Sequence, residues 1–265
     1  MPDKNRSAKA TIIALCGKGG VGKTSISALI VKRLIENPDN RVLAIDADPA
    51  VGLSTALGIT VHKTVDDIRN ELIRQVETGV SGDRREMVAR LDYEMLTALE
   101  ERGNLAFLAI GRPEKEGCYC QVNHILKDIL GSMADPFEYV VIDGEAGIEQ
   151  VNRRVMETVT HLVLVSDGSI KGLNVARQIK AVAETAIGYH TAGLIINRLR
   201  SEEERARISV PPGLHCLGWI TEDDAVRASD MAGKSLLDMD AGPALSAVGG
   251  CLAAMGIPHA PECIL

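Results

Sequence analysis

At 265 residues and 46% hydrophobic content, the chain can bury a sizeable core as one large domain or two small ones. Aromatic residues make up only 3%, which leaves little for stacking on nucleic-acid bases, and a formal net charge of −7 argues against a basic surface for DNA or anionic lipid. Protein partners are expected, with neither nucleic acid nor membrane among them.

No stretch reads as a linker between independently folding halves. The expectation is a flexible N-terminal segment over residues 1–9 and a single domain over 10–265. The first nine residues are polar and charged with no apolar h-region behind them, and no apolar run approaches the roughly 18 residues of a spanning helix. A cytoplasmic protein is expected. Its six cysteines would be reduced there, so a closely spaced pair reads as a metal site or redox couple before it reads as a structural disulfide. Cys263 stands third from the end, one position short of a prenylation box.

The apolar run Thr11 to Cys16 reads as a short buried strand, and Ile26, Leu29, Ile30 and Leu34 have helical spacing. Between them lies Gly17-Lys18-Gly19-Gly20-Val21-Gly22-Lys23-Thr24. A glycine loop between strand and helix turns several backbone N–H groups inward beside the positive end of the helix dipole, which suits phosphate oxygens. In that geometry Lys23 reaches the β- and γ-phosphates and the Thr24 hydroxyl completes a Mg²⁺ shell, with Gly17, Gly19, Gly20, Val21, Gly22 and Ser25 as the remaining nucleotide contacts. Gly17, Gly19 and Gly22 also spell G-x-G-x-x-G, and Asp46 lies near where a dinucleotide fold places its ribose acid. Lys23-Thr24 has no role in a nicotinamide site, however, and the strand Val140-Val141-Ile142-Asp143 supplies the Walker-B carboxylate that a P-loop requires.

Further along, Asn37-Pro38-Asp39-Asn40 is a turn signal, Arg41 to Asp46 a strand, and Asp46-Ala47-Asp48-Pro49 places carboxylates where open α/β sheets keep their chemistry. Asp48 also suits the cap of a helix starting near Ala50. From Val65 to about Glu101 the sequence is charged and helical in spacing, broken at Gly79 to Asp83, and reads as a helical insertion with a solvated face. Leu105 to Ile110 is another strand. Cys118 and Cys120, one residue apart, are too tight for an easy disulfide but suit two thiolates on one soft or borderline metal; two ordinary core cysteines are the other reading. Zn²⁺ or Ni²⁺ wants four such donors, which a two-fold axis through a homodimer would complete. His124 is either an extra ligand or a polar helix residue.

A helix over 122–133 and a strand over 138–143 follow, with Gly144 to Gly147 as a switch that senses the γ-phosphate and Asp143 holding Mg²⁺ through water. Strand 160–165 leads to a helix whose Leu173, Ala176, Ile179, Val182 and Ala183 form one buried face. Strand 192–196 ends in Asn197-Arg198, Ser201 to Arg207 reads as solvated helix, and Leu214 to Ile220 is the last strand. The final helix, around Ala241 to Met255, carries no Lys or Arg, unlike a basic membrane-binding tail. The pattern as a whole predicts an α/β fold with a doubly wound, mainly parallel sheet and helices on both faces.

Lys18 in front of Gly19-Gly20-Val21-Gly22-Lys23-Thr24 resembles the deviant Walker A motif of the MinD, ParA and nitrogenase-iron-protein class of P-loop NTPases. Together with Asp46-Ala47-Asp48-Pro49, Gly111-Arg112-Pro113-Glu114, Gly117-Cys118-Tyr119-Cys120 and Asp143-Gly144-Glu145-Ala146-Gly147-Ile148-Glu149, it resembles the CooC-type ATPases that mature nickel-containing carbon monoxide dehydrogenase, over most of residues 10–240. That resemblance implies a Mg²⁺-dependent ATPase that dimerises with ATP, Lys18 reaching the partner's nucleotide, Asp46 near Mg²⁺ and Asp48 positioning the attacking water. It further implies Asn197 reading the adenine edge, Ni²⁺ at Cys118 and Cys120 of both subunits, and carbon monoxide dehydrogenase apoprotein as client. Gln150 stands where the family has histidine and Thr221 where it usually has proline. The rival expectations are an ATPase carrying an iron–sulfur cluster between subunits and a MinD- or ParA-type positioning ATPase.

Overall fold

A computed structural model describes residues 9–77, 84–112, 120–145, 155 and 158–258. The strand expected from the first apolar run is β1, Thr11–Gly17. Its alternate side chains enter two different cores: Ile13 and Leu15 face one layer, while Ile12, Ala14 and Cys16 face the other. A strand buried on both faces must be apolar throughout, which is why its sequence shows a run and no alternation.

The same reasoning accounts for β2 (Val42–Asp46), β4 (Leu105–Ala109) and β5 (Tyr139–Asp143). With β3 (Glu100–Arg102), β6 (Thr158–Asp167), β7 (Gly188–Leu199) and β8 (Cys216–Thr221) they form one sheet in the order β3-β4-β2-β5-β1-β6-β7-β8. Among the described residues only β3 pairs antiparallel. β1 lies between β5 and β6. Chain connections leave in opposite directions around it, and the crevice so made at the strands' C-terminal ends is where α/β sheets bind ligands.

Helices cover both faces. On one lie α1 (Lys23–Ile35), α2 (Gly52–Leu57) and α9 (Pro243–Ala254); on the other lie α3 (Val65–Glu77), α4 (Arg84–Thr97), α5 (Cys120–Ala134) and α6 (Ile170–Ala186). The doubly wound, mainly parallel architecture is therefore as the sequence predicts.

Four local expectations need correction. The supposed insertion over 65–101 forms α3 and α4, but its end becomes β3, because pairing with the open edge of β4 outweighs the helical spacing of a charged segment. Strands β6 and β7 exceed the expected 160–165 and 192–196 at both ends, since their backbones pair from Thr158 and Gly188 through to Asp167 and Asn197 whatever the polarity of the side chains. Val182 is 40% exposed at the margin of α6, whereas Leu173, Ala176, Ile179 and Ala183 are buried. Two short helices, α7 (Glu202–Arg207) and α8 (Asp224–Ala232), flank β8; the first was expected, the second was not.

Candidate functional site

β1 ends at Gly17 and α1 begins at Lys23, so the glycine loop opens at the central crevice of the sheet. Two glycines are obligatory there. A Cβ on Gly17 would stand 2.1 Å from the Val165 carbonyl oxygen of β6, and Gly22, with φ +90°, would bring one within 2.5 Å of Asn197 Nδ2. The loop is thus pressed between the neighbouring strand and the end of β7.

Lys23 is buried and its ammonium donates to the loop's own carbonyls, Gly17 O at 3.1 Å and Lys18 O at 3.4 Å. It lies across the loop, where phosphate oxygens would replace carbonyls as its partners. Lys18 is half-buried at the loop's mouth, and its ammonium has no hydrogen bond or ion pair among the described residues.

Two carboxylates close the base of the crevice. Asp46 and Asp143 end β2 and β5 and are register partners, at 0% and 1% exposure. Asp46 accepts from Leu53 N at 2.8 Å and Asp48 N at 3.1 Å, while Asp143 accepts from Ser27 Oγ at 3.0 Å and from Thr24. Burial, reinforced by the Asp143 charge, pushes the Asp46 carboxyl up to about 7. Burial likewise raises Asp143 to about 6, against the hydrogen bonds of Thr24 and Ser27. Paired, desolvated carboxylates beside a threonine hydroxyl at a phosphate loop fit Mg²⁺, a hard cation that takes oxygen donors.

Asp48 does not cap α2. Its Oδ1 accepts from Ala50 N at 2.9 Å and its carbonyl from Val51 N at 3.0 Å, a tight turn after which Val51, at φ 50°, caps α2. The turn holds the half-buried Asp48 beside Asp46 at the crevice.

Beyond Gly22 the crevice widens into a cavity of about 480 Å³ lined by Ile26, Asn197, Arg198, Thr221, Asp224 and Met231 among others. Asn197 is 8% exposed and donates from Nδ2 to Val21 O at 2.8 Å. Because a carbonyl can only accept, that bond fixes the amide's orientation and leaves Oδ1 as its acceptor edge. Asp223 builds the far wall, its Oδ1 accepting from Ala225 N at 2.9 Å and its Oδ2 from Ala244 N at 3.0 Å, so that one side chain caps both α8 and α9.

Sequence reasoning missed Ser27 and Asp223. Ser27 had a signal, as a polar residue on the otherwise apolar stripe of α1; Asp223 had one in its place ahead of an amphipathic segment. Cys118 and the side chain of Cys120 lie outside the described residues, as do Ala146 and Gly147 of the expected switch. His124 is exposed, with Nε2 3.7 Å from Asp128 Oδ2 on the same helix. Among the described residues no helix is long and apolar enough to cross a membrane.

Residues 12–237 match the family model described as the CobQ/CobB/MinD/ParA nucleotide binding domain. An uncharacterised ATP-binding protein of Methanocaldococcus jannaschii is 36% identical over 86% of this chain and 91% of its own length. The carbon monoxide dehydrogenase accessory protein CooC of Rhodospirillum rubrum is 30% identical over 86% of this chain and 89% of its own. The fold is similar to that of the cell division ATPase MinD of Pyrococcus furiosus, with TM-score 0.64 and 19% identity over 93% of this chain and 98% of that one. A MinD of Pyrococcus horikoshii, solved with Mg-ADP, gives TM-score 0.63 at 20% identity, covering 91% of this chain and 94% of that one. A phosphate loop wedged under Asn197, a buried carboxylate pair at its base and these likenesses agree: the chain belongs to the CobQ/CobB/MinD/ParA nucleotide-binding family.

Proposed function

We propose that this protein is a Mg²⁺-dependent ATPase that dimerises with ATP and supports nickel insertion into carbon monoxide dehydrogenase. The reading is carried by the 30% identity to CooC across 86% of the chain, since the phosphate loop alone is common to the whole family. Mg²⁺, when bound, neutralises charge on the phosphate oxygens; Asp46, Asp143 and Thr24 would hold it.

The chain's own residues do the rest. Backbone N–H groups of Gly19 to Thr24 and the Lys23 ammonium bind phosphate, and Asn197 Oδ1 accepts from the amino group of the base. Asp48 orients water, with one oxygen engaged by Ala50 N so that the carboxylate cannot swing away. Lys18, with no hydrogen bond or ion pair from its ammonium among the described residues, serves the nucleotide of the partner copy. Catalysis of this kind is positioning and charge stabilisation, so each group acts by where it is held.

Cys118 and Cys120 from two copies would bind one thiophilic ion as cargo, Ni²⁺ or Zn²⁺, at the dimer axis. Assembly and release of that site with the dimer would couple nucleotide state to metal affinity. Metal content per dimer, with and without ATP, tests this in wild type and in Cys118→Ala/Cys120→Ala. One ion per dimer, lost in the double variant while ATP binding persists, is the expected result; unchanged metal content there would remove the nickel assignment and leave the ATPase.

A further inference from the structure

At the opposite end of the strands from the phosphate loop is a second cavity, of about 200 Å³, under the end of α9. His161, His215, Met255 and Thr191 are among the residues that line it. His161 and Thr191 are register partners on β6 and β7, and His161 Nδ1 lies 2.7 Å from Thr191 Oγ1. Thr191 Oγ1 in turn lies 3.4 Å from the Thr160 carbonyl, to which it donates. With its proton spent there, the hydroxyl accepts from Nδ1–H, and the lone pair of His161 is left on Nε2. An imidazole whose other nitrogen is anchored to an oxygen is the arrangement that metal-binding histidines show.

The cavity's composition selects the ion. Among the described residues no carboxylate or thiol lines it, and Leu217, Ala254 and Gly193 add apolar wall. Two imidazoles and a thioether are soft or borderline donors, with no carboxylate beside them among the described residues, which disfavours a hard divalent cation and suits a soft monovalent one. We propose that this cavity is a copper(I) site, with His161, His215 and Met255 as ligands and Thr191 as the residue that positions His161. It stands apart from the nucleotide site.

The test uses the full chain carrying Cys118→Ser, Cys120→Ser and Cys263→Ser, titrated anaerobically with Cu(I) against a chromogenic chelator. One Cu(I) per chain is expected, abolished by His161→Gln and by His215→Gln. Thr191→Val keeps all three ligands and should weaken binding about 10- to 100-fold, a loss that a merely structural threonine would not cause. Because a histidine variant could also fail to fold, the ring nitrogens of wild type are followed by NMR while Ag(I), a diamagnetic substitute, is added. Shifts confined to His161 and His215 support the site. Cu(I) binding unchanged in both histidine variants, or ring nitrogens unmoved by Ag(I), overturns it.

Discussion

Asp46 and Asp143 are register partners on adjacent parallel strands, and the backbone beyond them is tied as well, with Ala47 N donating to Asp143 O at 2.9 Å. Two carboxylates are thereby locked side by side in a desolvated pocket. Such a pair is unfavourable when both are charged and no cation is present, and favourable once one is. The fold holds this arrangement ready at the foot of the phosphate loop.

The pair sets a pH dependence. Both folded values, about 7 and about 6, lie above the ordinary 3.8, so the folded state binds more protons than the unfolded state across that interval. Their contribution to stability is full below about pH 4 and is lost as pH rises through 6 to 7. In EDTA, the melting temperature of wild type relative to Asp46→Asn should fall from pH 5 to pH 8. Mg²⁺ should reverse much of that fall. A wild-type melting temperature that rises against Asp46→Asn over this range in EDTA would contradict the assignment.

Lys18 is expected to act across the dimer. Lys18→Ala should bind ATP much as wild type does and lose hydrolysis by about 100-fold or more, the scale of one transition-state charge contact. Asp48→Asn should also lose hydrolysis. Mixing the two variants restores one complete site per mixed dimer, and as about half the dimers in an equimolar mixture are mixed, turnover should recover toward about a quarter of wild type. No recovery on mixing would place Lys18 in its own subunit's site.

Asn197 links the cavity beyond Gly22 to the phosphate loop. Its amide nitrogen is committed to Val21 O, so Oδ1 should favour an amino donor on the purine over a carbonyl acceptor. Wild type should prefer ATP to GTP by about 10-fold or more. Asn197→Asp cannot donate to Val21 and should cost about 1–3 kcal/mol in stability along with the loss of that preference. Calorimetric titration with both nucleotides, paired with urea denaturation, reads the two effects separately.

Gly17 is a steric requirement. With its Cβ 2.1 Å from a backbone oxygen of β6, Gly17→Ala forces two central strands apart and should destabilise the protein by about 3 kcal/mol. Gly19→Ala, where nothing lies within 4 Å of the added Cβ, is the control and should leave the unfolding midpoint near wild type.

Much of the fold was legible in residue order alone. Apolar runs at Thr11 to Cys16 and Leu105 to Ile110 can bury both faces only in a parallel sheet, and the spacing of Ile26, Leu29, Ile30 and Leu34 can face a core only as a helix. The charged Glu100–Arg102 strand was hidden because an edge strand is specified by the neighbour it pairs with, not by its own composition. The unexpected α8 was hidden for a related reason, its start being fixed by an Asp223 that also caps α9, twenty residues away in the chain.

The sequence by itself determined that a phosphate loop follows the first strand and that Asp46 and Asp143 end two others, because glycine spacing and strand-terminal carboxylates are local patterns. Tertiary structure alone decided that these two acids are partners, that Ser27 serves one of them, that Asn197 grips Val21, and that His161, Thr191, His215 and Met255 share a cavity. Such relations join residues far apart along the chain. They arise only when strand order and register are set, and packing of the whole sheet sets both.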